Sequence, residues 1–332
     1  MRVDYEVLET EFERILEKHA MEREDSKLCA TLFAQASLDG VSSHGLNRFP
    51  VFIDYIEKGL VDVHAKATLL GRFGCLERWD GNAGPGNLNA YASMTRAIAL
   101  AKENTIGCVA LANTNHWMRA GSYGLLAAQQ DCIGILWTNT IPNMPPWGGL
   151  EAKLGNNPVV FAIPHADSPI LVDIAMSLFS YGKMENYARE KKDLPFDGGF
   201  DTKGGISKDP AEILQTQRTL PIGFWKGSGL SLALDLIAAS LSGGLTTYEV
   251  GKAPAEASVS QLFVAISLAN LPDREAIEAK ITATLDDLHA TRPIDAQHPV
   301  HFPGEGMKKI REENLEKGIP VDEVIWKRVC AM

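Results

Sequence analysis

The sequence predicts a mixed α/β protein, with a helical N-terminal cap on a body of short buried strands and helices. Three observations lead there. Apolar residues recur at helical spacing through the first sixty residues. Beyond them, short apolar runs bounded by Gly, Asn and Pro alternate with longer periodic segments. No run of the form G-x-G-x-x-G occurs, so a Rossmann phosphate loop is not supported.

The 332 residues suffice for about two domains. The formal charge is −10, with Lys and Arg scattered, which argues against a nucleic-acid partner. Five cysteines, an odd number with no C-x-x-C spacing, suggest neither a zinc site nor a disulfide framework, but thiols in a reducing compartment. The acidic start Met1–Glu6 lacks the apolar core of a signal peptide. The most apolar stretch, Leu230–Leu241, contains Asp235 and is too short to span a bilayer. The expectation is a soluble, cytoplasmic protein with no membrane partner.

Taken in order, residues 4–20 and 23–38 read as amphipathic helices, through Leu8, Phe12, Ile15 and Leu16, and through Leu28, Leu32, Phe33 and Ala36. Gly40 suits a left-handed cap. A third helix is expected to about Lys58, ended by Gly59. Short strands follow at Leu69-Leu70 and Leu76–Trp79, then the glycine-rich turn 81–87 and a helix over Leu88–Glu103. Gly107–Ala112 and Ile133–Thr138 read as buried strands. Val159–Ile163 and Ile170–Ala175 are strands joined by residues 165–169. Residues 185–221 show no clear periodicity and read as an excursion. The apolar helix Leu230–Leu241, a strand over Gln261–Ser267 and surface helices at 272–289 and 304–317 complete the chain.

The chemistry concentrates in Ser42-Ser43-His44-Gly45-Leu46-Asn47-Arg48-Phe49-Pro50. If a helix opens here, His44 and Arg48 share a face at i, i+4, and Pro50 is tolerated only in a first turn. An imidazole beside a guanidinium suits a substrate carrying a carbonyl and a carboxylate. Arg grips the carboxylate in two parallel hydrogen bonds, and His protonates the carbonyl oxygen as it becomes an alcohol. The same stretch also reads as a surface turn with a helix cap. A second polar cluster, Asn113-Thr114-Asn115-His116-Trp117, lies past a strand end, where sites are held on rigid scaffolds and where helices are also capped. Asp173 interrupts an apolar strand, a costly place for a carboxylate unless it is paired. Function and a structural hydrogen bond explain it equally. Gly223–Gly229 places Lys226 before a helix N-terminus, a ready anion site, or simply lets that helix pack closely.

Several of these motifs occur together: Ser43-His44-Gly45 with Arg48, Asn115-His116 with Gly121 and Tyr123, the turn 155–158, Asp173-x-Ala175-x-Ser177, and Lys226-Gly227. In this order they resemble the malate/L-lactate dehydrogenase superfamily that lacks the Rossmann fold. The likeness runs from the first helix to the last. The turn that usually reads Gly-Thr-Asn-Pro in that family has Asn156 in place of the threonine.

The resemblance implies an L-sulfolactate/malate dehydrogenase-like fold with a mixed sheet, and a homodimer whose sites involve both subunits. It implies a helical cap, residues 1–60, packed with the C-terminal helices 271–332, and a mixed-sheet body, 61–270, that binds the nicotinamide cofactor. His44 is then the proton donor, with Arg48 and His116 on the substrate. Cofactor contacts would fall on Pro169, Ile170, Leu171, Val172, Asp173, Ile174 and Ala175, on Trp225 and Lys226, and on Gly304, Glu305 and Gly306, without a metal. The expected activity is reduction of a sugar-derived 2-oxo acid, with hydride to C2 from NADH (NADPH being the alternative). Malate, lactate or ureidoglycolate dehydrogenase and cyclic imino acid reductase would use the same His and Arg. A metal-dependent keto-acid lyase or aldolase would need a His/carboxylate ligand cluster, for which His44, His116 and Asp173 lack the usual spacing. A non-catalytic sugar-acid binding protein is a further alternative.

Overall fold

The structure, a computed structural model, describes residues 1–332 except Asp167 and Asn270. The first belongs to the connection 165–169 and the second to the end of the expected body, so both positions lie outside the described residues.

Helices Tyr5–Lys18, Arg23–Leu38 and Phe49–Glu57 form the cap. Leu8, Phe12, Ile15 and Leu16 are fully buried, as their spacing requires. The Phe12 and Phe49 rings stack at 4.2 Å, and Phe33 meets Phe49 edge-on at 5.1 Å. Each such ring contributes about 1.5–3 kcal/mol by burial. Gly40 ends the second helix at φ 82°. The same core takes in Ile319, Trp326 and Val329 from the C-terminal end, and Arg2–Val3 pairs antiparallel with Ile319–Pro320. Helix Met307–Lys317 also meets the cap, through Asn314 Nδ2 to Leu38 O at 2.8 Å. Helix Arg274–His289 instead lies against the body, where Arg274 pairs with Asp131 at 2.8 Å.

The body is a seven-stranded sheet in the order Thr68–Phe73, Leu76–Asp80, Ile106–Thr114, Val259–Ser267, Cys132–Thr138, Val159–Ile163, Ile170–Ile174. Among the described residues, only the pairing of Leu76–Asp80 with Ile106–Thr114 is parallel. The sheet is therefore mixed, and its centre is a strand from late in the chain. Phe263 stands between Val109 and Leu136 in register. Helices Gly86–Asn104 and Gly121–Ala128 pack on this face. Helix Trp225–Ser242 covers the other, where Trp137 Nε1 donates to Leu234 O at 2.9 Å.

The excursion at 185–221 is more ordered than its composition suggests. It holds the end of helix Tyr181–Arg189, helix Pro210–Thr216 and a two-residue ladder, Gly199–Phe200 with Ile206–Ser207. Its own small core joins Phe179, Met184, Leu194 and Ile213. Elements this short leave no periodicity, although Asp209-Pro210 is a helix-start signal, and Asp209 Oδ1 accepts from Ala211 N at 2.8 Å.

Candidate active site

The Ser-His-Gly segment is a single 3₁₀ turn, Ser42–His44, pressed against the preceding helix. A Cβ on Gly45 would stand 2.1 Å from Ser37 Oγ and 2.9 Å from Phe33 O, so only glycine fits. Ser37 Oγ then accepts the Leu46 N–H at 2.9 Å. The next helix does not open until Phe49, with Arg48 as its N-cap and Pro50 in its first turn. His44 and Arg48 therefore do not share one helix face. The break at Gly45 separates them, and the tertiary fold reunites them.

What the fold adds is His116. Its ring lies 5.9 Å from that of His44, inclined by 24°. His116 Nδ1 accepts the Met118 N–H at 2.9 Å, so a neutral His116 carries its proton on Nε2. Ser43 Oγ is 3.0 Å from His44 Nδ1. Burial, reinforced by Arg48 and Arg119, pushes the His44 imidazole down to about 4. Burial, with Arg48 and His44, pushes His116 well below its ordinary range. Both rings are thus neutral near pH 7 in the free protein. The Arg48 guanidinium makes no hydrogen bond or ion pair with the described residues. A narrow cavity bounded by Arg48, Tyr55, Asn115, His116 and Met118 adjoins it. Asn115 is held by Nδ2 bonds to Ala83 O at 2.9 Å and Gly84 O at 3.1 Å, while its buried Oδ1 has no partner. A buried polar atom of this kind is suited to a bound hydroxyl or water.

Cap and body are locked around this pocket. Asp39, buried at the end of the second helix, pairs with Arg119 and also receives Arg311 Nε at 2.7 Å. Arg119 Nη2 lies 3.0 Å from Met307 Sδ. Two residues on, Gly121 N donates to Asp173 Oδ2 at 2.8 Å. Asp173 is on the edge strand of the sheet, not within a core strand, so one side of it reaches solvent. Its carboxylate thus has a structural hydrogen-bond partner.

The three expected cofactor segments, far apart in sequence, form one line along this edge. Leu171 N donates to Pro303 O at 2.9 Å, which sets Gly304, at φ 94°, against Pro169 and Leu171. Strand alternation points the Asp173 N–H outward like that of Leu171, and no described residue meets it. Past Ala175, Met176 O accepts from Ile222 N at 2.7 Å, bringing Trp225 and Lys226 alongside. Both are exposed, Trp225 at 66 %. Glu305 is engaged elsewhere: burial, which would raise its carboxyl, is outweighed by bonds from His289, His301 and the Phe302 N–H. Gly227 serves packing, since a Cβ there would stand 2.1 Å from Ile222 O, whereas Gly229 is open. The glycine turn 81–87 is filled by protein. A Cβ on Gly86 would lie 2.2 Å from Asn115 O, so that glycine serves close packing.

A family model described as malate/L-lactate dehydrogenase matches residues 3–330. The chain belongs to the malate/L-lactate dehydrogenase family. It is 42 % identical over 334 residues to the 2,3-diketo-L-gulonate reductase of Citrobacter koseri, covering 100 % of both chains. Its fold is similar to malate dehydrogenase from Entamoeba histolytica, with TM-score 0.94, 26 % identity and coverage of 99 % and 96 % of the two chains. Sulfolactate dehydrogenase from Methanocaldococcus jannaschii matches with TM-score 0.88, 29 % identity and coverage of 99 % and 95 %. The chain is accordingly an oxidoreductase of hydroxy and oxo acids that works with a nicotinamide cofactor. The residues of the edge strand fit that group. The edge strand presents a free backbone donor at Asp173, and the adjoining helix start an exposed indole and an exposed ammonium, although the Lys226 N–H is itself bonded to Gly223 O at 3.2 Å.

Sequence reasoning missed one acidic group of this family member. Glu256 faces Arg48 and the Ile141 backbone; burial pushes its carboxyl up against the opposing pull of both. Its setting, Ala255-Glu256-Ala257-Ser258, reads as a surface loop, and no local signal marks it.

Proposed function

We propose that the protein is a cytoplasmic NADH-dependent reductase that converts 2,3-diketo-L-gulonate to 3-dehydro-L-gulonate. The observation that carries this reading is the pair of parallel imidazoles beside an Arg48 with no hydrogen-bond or ion-pair partner among the described residues, in a chain 42 % identical from end to end to a reductase of that name.

When bound, the nicotinamide supplies the hydride that reduces C2. Arg48 clamps the substrate carboxylate through two N–H groups. His116, whose Nδ1 is occupied by a backbone N–H, offers a fixed Nε2–H to the C2 oxygen. His44 delivers its Nε2 proton to that oxygen as negative charge develops there. Pro169–Ala175, Trp225, Lys226 and Gly304–Gly306 would hold the cofactor, with Lys226 and the helix start meeting phosphate. Glu305 would act there through its backbone, since its carboxylate is already bonded to His289 and His301.

A homodimer is part of the proposal. Helix Trp225–Ser242 leaves Leu230, Leu232, Leu236 and Ile237 exposed at 43–48 %. An apolar face of this kind on the helix beside the cofactor edge is suited to a second copy. Light scattering should report a dimer, and Leu236→Glu should weaken it.

The test of function is nicotinamide absorbance with a panel of 2-oxo acids, both cofactors, with and without a chelator. The sugar-derived acid with NADH should give the highest kcat/KM, unaffected by chelation. A higher value with oxaloacetate or pyruvate would move the enzyme to malate or lactate, and loss on chelation would favour a metal enzyme.

A further inference from the structure

The two site histidines differ in what meets Nδ1. His116 Nδ1 faces a backbone N–H, which can only donate. His44 Nδ1 faces the Ser43 hydroxyl at 3.0 Å, which can donate or accept. A proton donor passes through the imidazolium, in which both ring nitrogens carry hydrogen. A hydroxyl that donated to Nδ1 would lose its bond on each protonation, whereas one that accepts keeps it in both states.

Ser43 is itself held from outside. A Cβ on Gly182 would stand 2.9 Å from Ser43 Cβ and 3.5 Å from Oγ, so this glycine lets the chain after the cofactor edge strand close on Ser43. Tyr181, beside it, is tied down by its hydroxyl to Asn143 O at 2.7 Å. The hydroxyl is thus seated between the 3₁₀ turn and the start of helix Tyr181–Arg189.

We infer that Ser43 is a positioning residue for the reaction: its Oγ accepts Nδ1–H of His44, holding the ring in the tautomer whose Nε2 gives up and regains the catalytic proton. This rests on His44 being the proton donor. The proton leaves Nε2 for the C2 oxygen, the ring keeps Nδ1–H on Ser43, and solvent returns one proton to Nε2 per turnover. The neighbouring rings then carry opposite neutral tautomers, Nδ1–H in His44 and Nε2–H in His116. A carboxylate at position 43 would favour the imidazolium strongly. A hydroxyl orients the ring without that charge, leaving His44 an acid strong enough to protonate an alkoxide readily. The charged and titratable groups facing His44 are Arg48, Arg119 and His116, and none of them replaces this acceptor.

The experiment pairs ¹⁵N-histidine NMR with steady-state kinetics across pH, on wild type, Ser43→Ala, Gly182→Ala and their double variant. Wild type should show Nδ1–H for His44 and Nε2–H for His116. Ser43→Ala should shift His44 toward Nε2–H, lower kcat about 10–100-fold, as lost orienting hydrogen bonds do elsewhere, and displace the pH profile of kcat. KM and NADH affinity should stay within twofold. Gly182→Ala should move the same quantities in the same direction, with little added in the double variant. A wild-type His44 in the Nε2–H form overturns the inference, as does Ser43→Ala with unchanged tautomer and pH profile. Near-wild-type turnover in His44→Asn would instead remove the donor, and Ser43 with it.

Discussion

Asp173 Oδ2 accepts the Gly121 N–H at 2.8 Å, so a carboxylate on the edge strand caps the helix that follows the His116 loop. This bond joins the sheet edge proposed to hold the cofactor to the side of the site proposed to hold the substrate. Asp173→Ala should lower stability by about 1 kcal/mol, the usual worth of a lost cap. Asp173→Asn, which keeps an oxygen acceptor, should lose much less. Equal Tm values for the two variants would deny the cap.

His44→Asn should lower turnover by about 10²–10⁴-fold with little change in NADH affinity. Because His44 titrates near 4 in the free protein, the neutral ring dominates at pH 7. With His44 as the proposed proton donor, reduction needs the protonated ring, so kcat/KM for the keto acid should fall about tenfold per pH unit between roughly pH 5 and 8. The oxidative direction, which needs the neutral ring, should be flat across that window. A flat reductive profile would remove His44 as the donor.

The same depressed pKa bears on folding. A His whose folded pKa lies below its unfolded value of about 6.5 adds stability that is complete above that pH. That stability is lost as the pH falls towards 4, and His116 is shifted in the same direction. Urea midpoints should drop between pH 7 and 4.5, and His44→Asn should reduce the drop.

Arg48→Lys should cost about 2–5 kcal/mol of interaction with the substrate carboxylate, since an ammonium cannot form the paired bonds. Isotopic or kinetic measurement of substrate affinity at fixed NADH checks this. Unchanged kcat/KM on a carboxylate substrate would exclude the clamp.

Lys226→Ala should weaken NADH binding about tenfold, close to one charge-assisted hydrogen bond, and the loss should shrink in high salt. Lys226 is exposed and bonds to no described residue through its side chain, so Tm should not move. Unchanged affinity for NADH in this variant would place the phosphates elsewhere.

Much of the candidate site was legible locally. Ser43-His44-Gly45, Arg48 and His116 carry their chemistry in their side chains, and the missing G-x-G-x-x-G excluded one cofactor geometry before any fold was known. The spacing of His44 and Arg48 misled as to backbone, because Gly45 must sit flush on Ser37 and Phe33, a contact invisible in the sequence around it. Glu256 was silent for the same reason. Its neighbours Arg48 and Ile141 are more than a hundred positions away, and a carboxylate in a loop looks solvated until something covers it.

By itself the sequence determined the amphipathic faces of the cap, the capping glycine at Gly40, the strand segments and the identity of the reactive groups. Each of these depends on side-chain type and on periodicity within a few residues. Only the tertiary structure decided that Val259–Ser267 is the central strand, that 169–175, 222–226 and 303–306 share one edge, and that His44 and His116 stack. Those relations are set by burial and hydrogen bonding between segments far apart in the chain. Such pairings depend on which surfaces exclude water together, a property of the assembled fold that no local window of sequence contains.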